Sequence, residues 1–240
     1  IGDGGMLKIN HSEWDSLLVR KYPVDLAIDQ SPINENGDKE RIVGTCFAAT
    51  PQGHLITNYH VIRDRKSVTV GFSDGVRSGA TVVKVDPSND LAILSSEYLA
   101  PAHTPLVPSA TVSAGTQVFT MGFPVTNLLG AEPKYTDGAI SSKQGIGGST
   151  SLFQITVPVQ PGNSGGALVN LDGNAVGIVT STAAVERFYE QTGALPQNVS
   201  WAVKADYALL MDESLRTPAL KLGRQEAIAN ASKAVCSVRF

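Results

Sequence analysis

The residues Gln160-Pro161-Gly162-Asn163-Ser164-Gly165-Gly166-Ala167-Leu168 set a serine between glycines and lead straight into an apolar segment. Glycine on both sides lets the backbone take positive φ and leaves open space above the hydroxyl. Backbone N–H groups at such a turn can converge on one point, as stabilisation of an oxyanion requires. A glycine-rich hairpin loop with an incidental serine would carry the same letters, so residues elsewhere in the chain must decide.

A serine nucleophile needs a base. The four histidines are His11, His54, His60 and His103, and all precede Ser164. A G-x-S-x-G turn of the α/β-hydrolase kind requires the chain order serine, acid, histidine, so that reading has no base and fails. His54 sits in a turn, His103 in a proline-rich stretch and His11 near the start. His60 differs: in Leu55-Ile56-Thr57-Asn58-Tyr59-His60-Val61-Ile62 a strand stops at a polar pair and the imidazole emerges where apolar residues resume. Between His60 and Ser164 the available aspartates are Asp64, Asp74, Asp86, Asp90 and Asp137. Asp90 stands directly before Leu91-Ala92-Ile93-Leu94, at the lip of a buried strand, where a carboxylate is shielded yet can accept a hydrogen bond from imidazole. An acid placed before the histidine would have to be Asp25, Asp29 or Asp38, in a helix-bearing α/β pattern that the chain lacks.

Outward from these residues the pattern is all-β. Glycine (23) and proline (13) favour turns over long helices. Strands are expected near 24–29, 41–49, 53–57, 67–72, 78–85 and 90–95. Six more are expected near 116–121, 134–142, 151–157, 165–170, 174–181 and 198–203, after a linker containing Pro101, Pro105 and Pro108. Val68, Val70 and Phe72 alternate with Thr69 and Gly71, the period of a half-buried strand. Asn170-Leu171-Asp172-Gly173-Asn174 is a hairpin signal. Six strands, a linker and six strands predict two six-stranded antiparallel β-barrels side by side. The expected organisation is an N-terminal extension with a short helix (1–21), a first barrel (22–105) carrying His60 and Asp90, and a second barrel (106–204) carrying Ser164. A C-terminal helix and tail (205–240) follow, with helical spacing over 205–216 and 223–233 and strand character over 234–240. That last strand would either add to a barrel edge or begin the connection to a further domain.

Nineteen basic and 22 acidic residues give a net charge of −3, so no broad positive field recommends nucleic acid or an anionic membrane as partner. No apolar run is long enough to span a bilayer as a helix. Cys46 and Cys236 lack metal-type spacing; one long-range disulfide between them stays open, and two unpaired, mostly buried thiols are the favoured state. Neither metal nor cofactor is expected. The opening Ile1-Gly2-Asp3-Gly4-Gly5 reads as a remnant ahead of a native Met6, and no apolar leader core follows. A cytoplasmic home is therefore expected, or a periplasmic or secreted one if the chain is a processed fragment.

Six segments together carry a resemblance: Gly44-Thr45-Cys46-Phe47, Thr57-Asn58-Tyr59-His60-Val61, Asp90-Leu91-Ala92-Ile93-Leu94, Gly122-Phe123-Pro124, Gly138-Ala139-Ile140 and Pro161-Gly162-Asn163-Ser164-Gly165-Gly166. In this order they resemble trypsin-like serine proteases, most of all the bacterial Deg/HtrA branch, over residues 24–204. The resemblance implies a chymotrypsin-type fold, with the active site in the cleft between its barrels. It also implies proteolysis of protein or peptide substrates by a His60–Asp90–Ser164 triad. Gly162 and Ser164 N–H groups would hold the oxyanion, with Asn163 shaping that turn. Asn163 is neutral where pancreatic-type relatives carry an aspartate, which argues against activation by a freed N-terminal amine. The wall of the specificity pocket would be Thr156-Val157-Pro158-Val159-Gln160, with Val157 and Pro158 at its centre and no carboxylate. Thr180, Ser181 and Thr182 would offer a strand edge to substrate, and Trp201 would narrow the pocket, giving a preference for small or aliphatic P1 residues. Deg proteases normally add a PDZ domain, and only 36 residues follow Lys204 here, so PDZ gating is not carried over. The alternative function is a catalytically silent or partner-activated binding module of the same fold, with the C-terminal tail as a contact for a partner.

Overall fold

The computed structural model describes residues 41–124, 126–130, 132–180, 193 and 199–240. The expected helix within 11–21 and strand near 24–29 lie outside them. Five strands follow in sequence: β1 (Ile42–Ala48), β2 (His54–Thr57), β3 (Ser67–Phe72), β4 (Arg77–Asp86) and β5 (Leu91–Ser96). Six more are β6 (Gln117–Gly122), β7 (Lys134–Ser142), β8 (Leu152–Ile155), β9 (Ala167–Asn170), β10 (Ala175–Thr180) and β11 (Ser200–Lys204). The last, β12, is Val235–Arg239. Together they form two closed antiparallel barrels, ordered β1-β12-β3-β4-β5-β2 and β10-β11-β8-β7-β6-β9. The expected two-barrel fold is thus present.

The sixth place in the first barrel is filled from the far end of the chain. After β11 come a helix at Ala205–Met211 and another at Arg224–Ala234, and β12 then inserts between β1 and β3. Residues 205–240 are therefore not a tail apart from the barrels. Their strand closes the first one. The helix brings it there by burying Ala227 and Ala231 in the same apolar cluster as Val235.

The apolar runs read as continuous because these strands are buried on both faces. Leu91 and Ile93 of β5 join the core shared by the two barrels, while Ala92 and Leu94 point into the first barrel. In β1, Phe47 faces the shared core and Cys46 and Ala48 face inward. In β6, Phe119 and Met121 meet that shared core from the other side, and Val118 fills the second barrel. Side chains alternate along a strand, so each such strand feeds two cores at once. Burying one Leu, Ile or Phe contributes about 1.5–3 kcal/mol, and sharing the central layer fixes one barrel against the other.

The predicted hairpin joins β9 to β10: Asn170 Oδ1 accepts the N–H groups of Asp172 (3.2 Å) and Asn174 (2.9 Å), and Gly173 takes φ +90°. The cysteines depart from the favoured state. Cys46 and Cys236 are paired directly across β1 and β12, with Cα atoms 4.8 Å apart, and form a disulfide. Register opposition brings their Cα atoms within the range a disulfide spans, and no spacing in sequence could reveal a partner 190 residues away.

Candidate active site

His60 lies in the single-turn helix Tyr59–Ile62, where β2 ends. Its Nδ1 is 2.8 Å from Asp90 Oδ2, and its own backbone N–H donates to Asp90 Oδ1 at 2.9 Å. A carboxylate only accepts, so this contact places the proton on Nδ1 and leaves Nε2 as the basic nitrogen. The Thr180 hydroxyl, from the end of β10 in the other barrel, donates to Asp90 Oδ2 at 2.9 Å. Three donors thus hold one carboxylate, two from the first barrel and one from the second. Asp90 adopts φ +56°, a left-handed conformation uncommon for a residue with a side chain. The His60 and Asp90 side chains are 25% and 24% exposed, sheltered but reachable.

Ser164 is tied to the same region by its backbone. Its carbonyl accepts the Thr45 N–H at 2.9 Å, and the next N–H, from Gly165, donates to Val179 O at 2.9 Å. A Cβ on Gly165 would fall 2.2 Å from Thr45 O and 2.3 Å from Thr57 Oγ1, so glycine is what lets the loop press onto β1 and β2. Gly44 is enclosed by Val61, the neighbour of His60, on one side and by Ser164 O on the other. The histidine and serine segments therefore converge from two barrels.

The turn before Ser164 closes through Asn163 N–H to Gln160 O at 3.0 Å. Gly162 is its third residue, with φ +101°, the position that a type II turn gives to glycine. A Cβ there would sit 2.3 Å from Phe123 O. The Thr45 hydroxyl donates to Gly162 O at 2.7 Å and accepts the Phe123 N–H at 3.1 Å, fixing the orientation of this peptide. Asn163 spends its N–H inside the turn and is buried, so it shapes the loop rather than facing a ligand.

The expected substrate contacts are dispersed. Val157 is fully buried in the second barrel's core with Val118, Ile140 and Phe153, so it backs the proposed wall instead of lining it. Pro158 is exposed. Trp201 is buried on β11, directly opposite Thr180 in the ladder. Thr180 directs its hydroxyl to Asp90, a role the sequence reading did not assign. Ser181 and Thr182 lie outside the described residues. The contacts of Thr45 and Thr180 escaped sequence reasoning, because a threonine in a strand carries no signature of what its hydroxyl will touch.

A separate groove of about 580 Å³, lined by Pro51, His54, His103, Arg216, Thr217 and Leu220 among others, lies at the opposite end of β2 from His60. No carboxylate lines it, so it cannot reproduce the His60–Asp90 arrangement. Among the described residues no cluster of three His, Cys, Asp or Glu suits a metal ion, and no helix is long and apolar enough to cross a membrane.

A family model described as a trypsin-like peptidase domain matches residues 44–178. An uncharacterized protein, y4bJ, of Sinorhizobium fredii is 38% identical over 170 residues, covering 70% of this chain and 27% of that protein. A probable periplasmic serine endoprotease, DegP-like, from Pseudomonas fluorescens is 31% identical over 195 residues, 78% of this chain and 38% of the relative. Among solved structures, the HtrA-type protease AlgW with a decapeptide superposes with TM-score 0.60 at 28% identity, covering 72% of this chain and 51% of that one. The serine endoprotease from Yersinia pestis gives 0.54 at 30% identity, covering 73% and 58%. The chain spans well under half the length of these curated relatives. Relatives named periplasmic overturn the cytoplasmic placement expected above. With the family model matching over half of its residues and both barrels in place, the chain belongs to the trypsin-like peptidase family, beside the HtrA/DegP proteases.

Proposed function

We propose that this protein is a serine endopeptidase that cleaves protein or peptide substrates through an acyl-enzyme formed on Ser164. The reading rests on the hydrogen-bonded His60–Asp90 pair, clasped by Thr180 and set against the loop that bears Ser164. Ser164 Oγ attacks the scissile carbonyl while His60 Nε2 takes its proton, then delivers it to the leaving amine. Asp90 fixes the imidazole tautomer and stabilises the imidazolium. The N–H groups of Gly162 and Ser164 hold the tetrahedral oxygen, each such donor being worth about 2.7–4 kcal/mol. Water then repeats the sequence to release the acid. The absence of a carboxylate over 156–160 supports small or aliphatic P1 residues over Arg or Lys. Relatives named periplasmic, together with the Cys46–Cys236 disulfide, support a periplasmic location, since such bonds persist where the milieu is oxidising.

The test is labelling with a fluorophosphonate followed by peptide mass mapping. The expected adduct lies on Ser164 and is lost in His60→Ala. An unmodified Ser164 in folded protein would oppose the reading. A peptide-library profile led by Arg or Lys at P1 would refute the specificity while leaving the nucleophile untouched.

A further inference from the structure

We infer that Asn58 is a positioning residue for the His60–Asp90 pair, a role that rests on the endopeptidase reading above. Asn58 is fully buried, and its Nδ2 donates to the backbone carbonyl of Asp90 at 2.9 Å. Only a donor satisfies a carbonyl, so the amide end facing Asp90 is its amino group. Among the described residues its buried Oδ1 has no hydrogen-bond partner. A buried polar atom left unsatisfied is penalised, so stability alone is a poor reason for asparagine here, and the bond to Asp90 is what the residue supplies.

What that bond restrains is the strained point of the site. Asp90 holds φ +56°, and a carboxylate on such a residue would swing away if its backbone relaxed to negative φ. Asn58 lies two residues before His60, at the start of the same turn, whose first backbone bond runs from Val61 N–H to Asn58 O. Residues 58–60 therefore grip Asp90 from three directions: the Asn58 amide on its main chain, the His60 N–H on Oδ1 and the imidazole on Oδ2. Of the two contacts on the carboxylate, the one on Oδ2 comes from the imidazole, whose charge changes during turnover, and the one on Oδ1 comes from the His60 backbone N–H. The Asn58 contact involves no group that changes charge, and it keeps the carboxylate aimed at Nδ1 while Nε2 handles the proton.

The experiment is a double-mutant cycle with Asp90→Asn, measuring kcat and KM on one peptide substrate. Asn58→Ala and the similarly branched Asn58→Leu each remove the donor. In the parent background both are expected to lower kcat roughly 10- to 100-fold, the scale of an ångström-level misplacement, with KM changed less than about threefold. The low-field proton resonance of the His60–Asp90 hydrogen bond should shift or broaden in both variants. In the Asp90→Asn background, where no carboxylate remains to aim, the same substitutions should change kcat less than about threefold. A merely structural role would impose equal losses in both backgrounds, and that result overturns the proposal. So does a silent effect in the parent, or failure of both variants to fold. Parental activity in Asp90→Asn alone would instead remove the triad reading, and the positioning role with it.

Discussion

Breaking the Cys46–Cys236 bond should destabilise the whole protein, and the separation along the chain sets the scale. The bridge closes a loop of 190 residues. In the chain-entropy treatment, the denatured state of such a loop regains conformational freedom worth about 5 kcal/mol at room temperature. That is comparable to the entire stability of many domains, about 5–15 kcal/mol. The effect should also reach the chemistry. β12 lies against β1, and Thr45, next to Cys46, carries the bonds to Ser164 O and Gly162 O. Urea unfolding of the same chain, oxidised and then reduced and blocked with a small alkylating agent, isolates the bond. The expected result is a large drop in the midpoint for the reduced form, with fluorophosphonate labelling lost at correspondingly lower urea. Coincident transitions would refute the reasoning, and show that β12 is held by packing alone.

Thr180→Val exchanges the hydroxyl on Asp90 for a methyl group of similar size. Losing a hydrogen bond that orients the His60–Asp90 pair should slow peptide hydrolysis roughly 10- to 100-fold, the scale of an ångström-level misplacement. One hydrogen bond to a charged group, about 1.5–3 kcal/mol, should lower the melting temperature by several degrees without unfolding the protein at assay temperature. Gly162→Ala forces a Cβ towards Phe123 O at a φ of +101°; misplacing one oxyanion donor should lower kcat by roughly 10²–10³, with near-parental circular dichroism. Burial lowers the pKa of His103, so below about pH 6.5 the unfolded chain binds a proton that the folded one resists. Stability should therefore fall as pH drops through that range, and His103→Gln should remove that part of the slope in urea midpoints measured from pH 7.5 to 5.

The barrels were legible because their signals are local. Period-two runs such as Val68–Phe72, the hairpin at 170–174 and the apolar Leu91–Leu94 each report a strand without reference to its partner. His60 and Asp90 could be singled out because each stands where a strand meets polar residues, and Ser164 because its glycines permit the positive φ that the loop adopts at Gly162 and Gly165. Pairing was not legible. Ala234–Phe240 reads as a strand, but nothing in its letters says that it will sit between β1 and β3 or face Cys46. The same limit hid the hydroxyl of Thr180, which the family resemblance implies as part of a substrate edge and the inter-barrel geometry turns to Asp90. Val157 likewise reads as a pocket residue until the packing of Phe153 and Ile140 encloses it. These are properties of register and closure, which depend on residues distant in sequence.

The most direct measurement is the turnover of an unfolded protein substrate by purified Ser164→Ala beside the parent, at equal concentration and with folding checked. The account predicts cleavage by the parent and a fall in kcat of roughly 10⁶ in the variant, because no other hydroxyl lies between Gly162 and Gly166. Cleavage by Ser164→Ala at a rate near the parent's would contradict it.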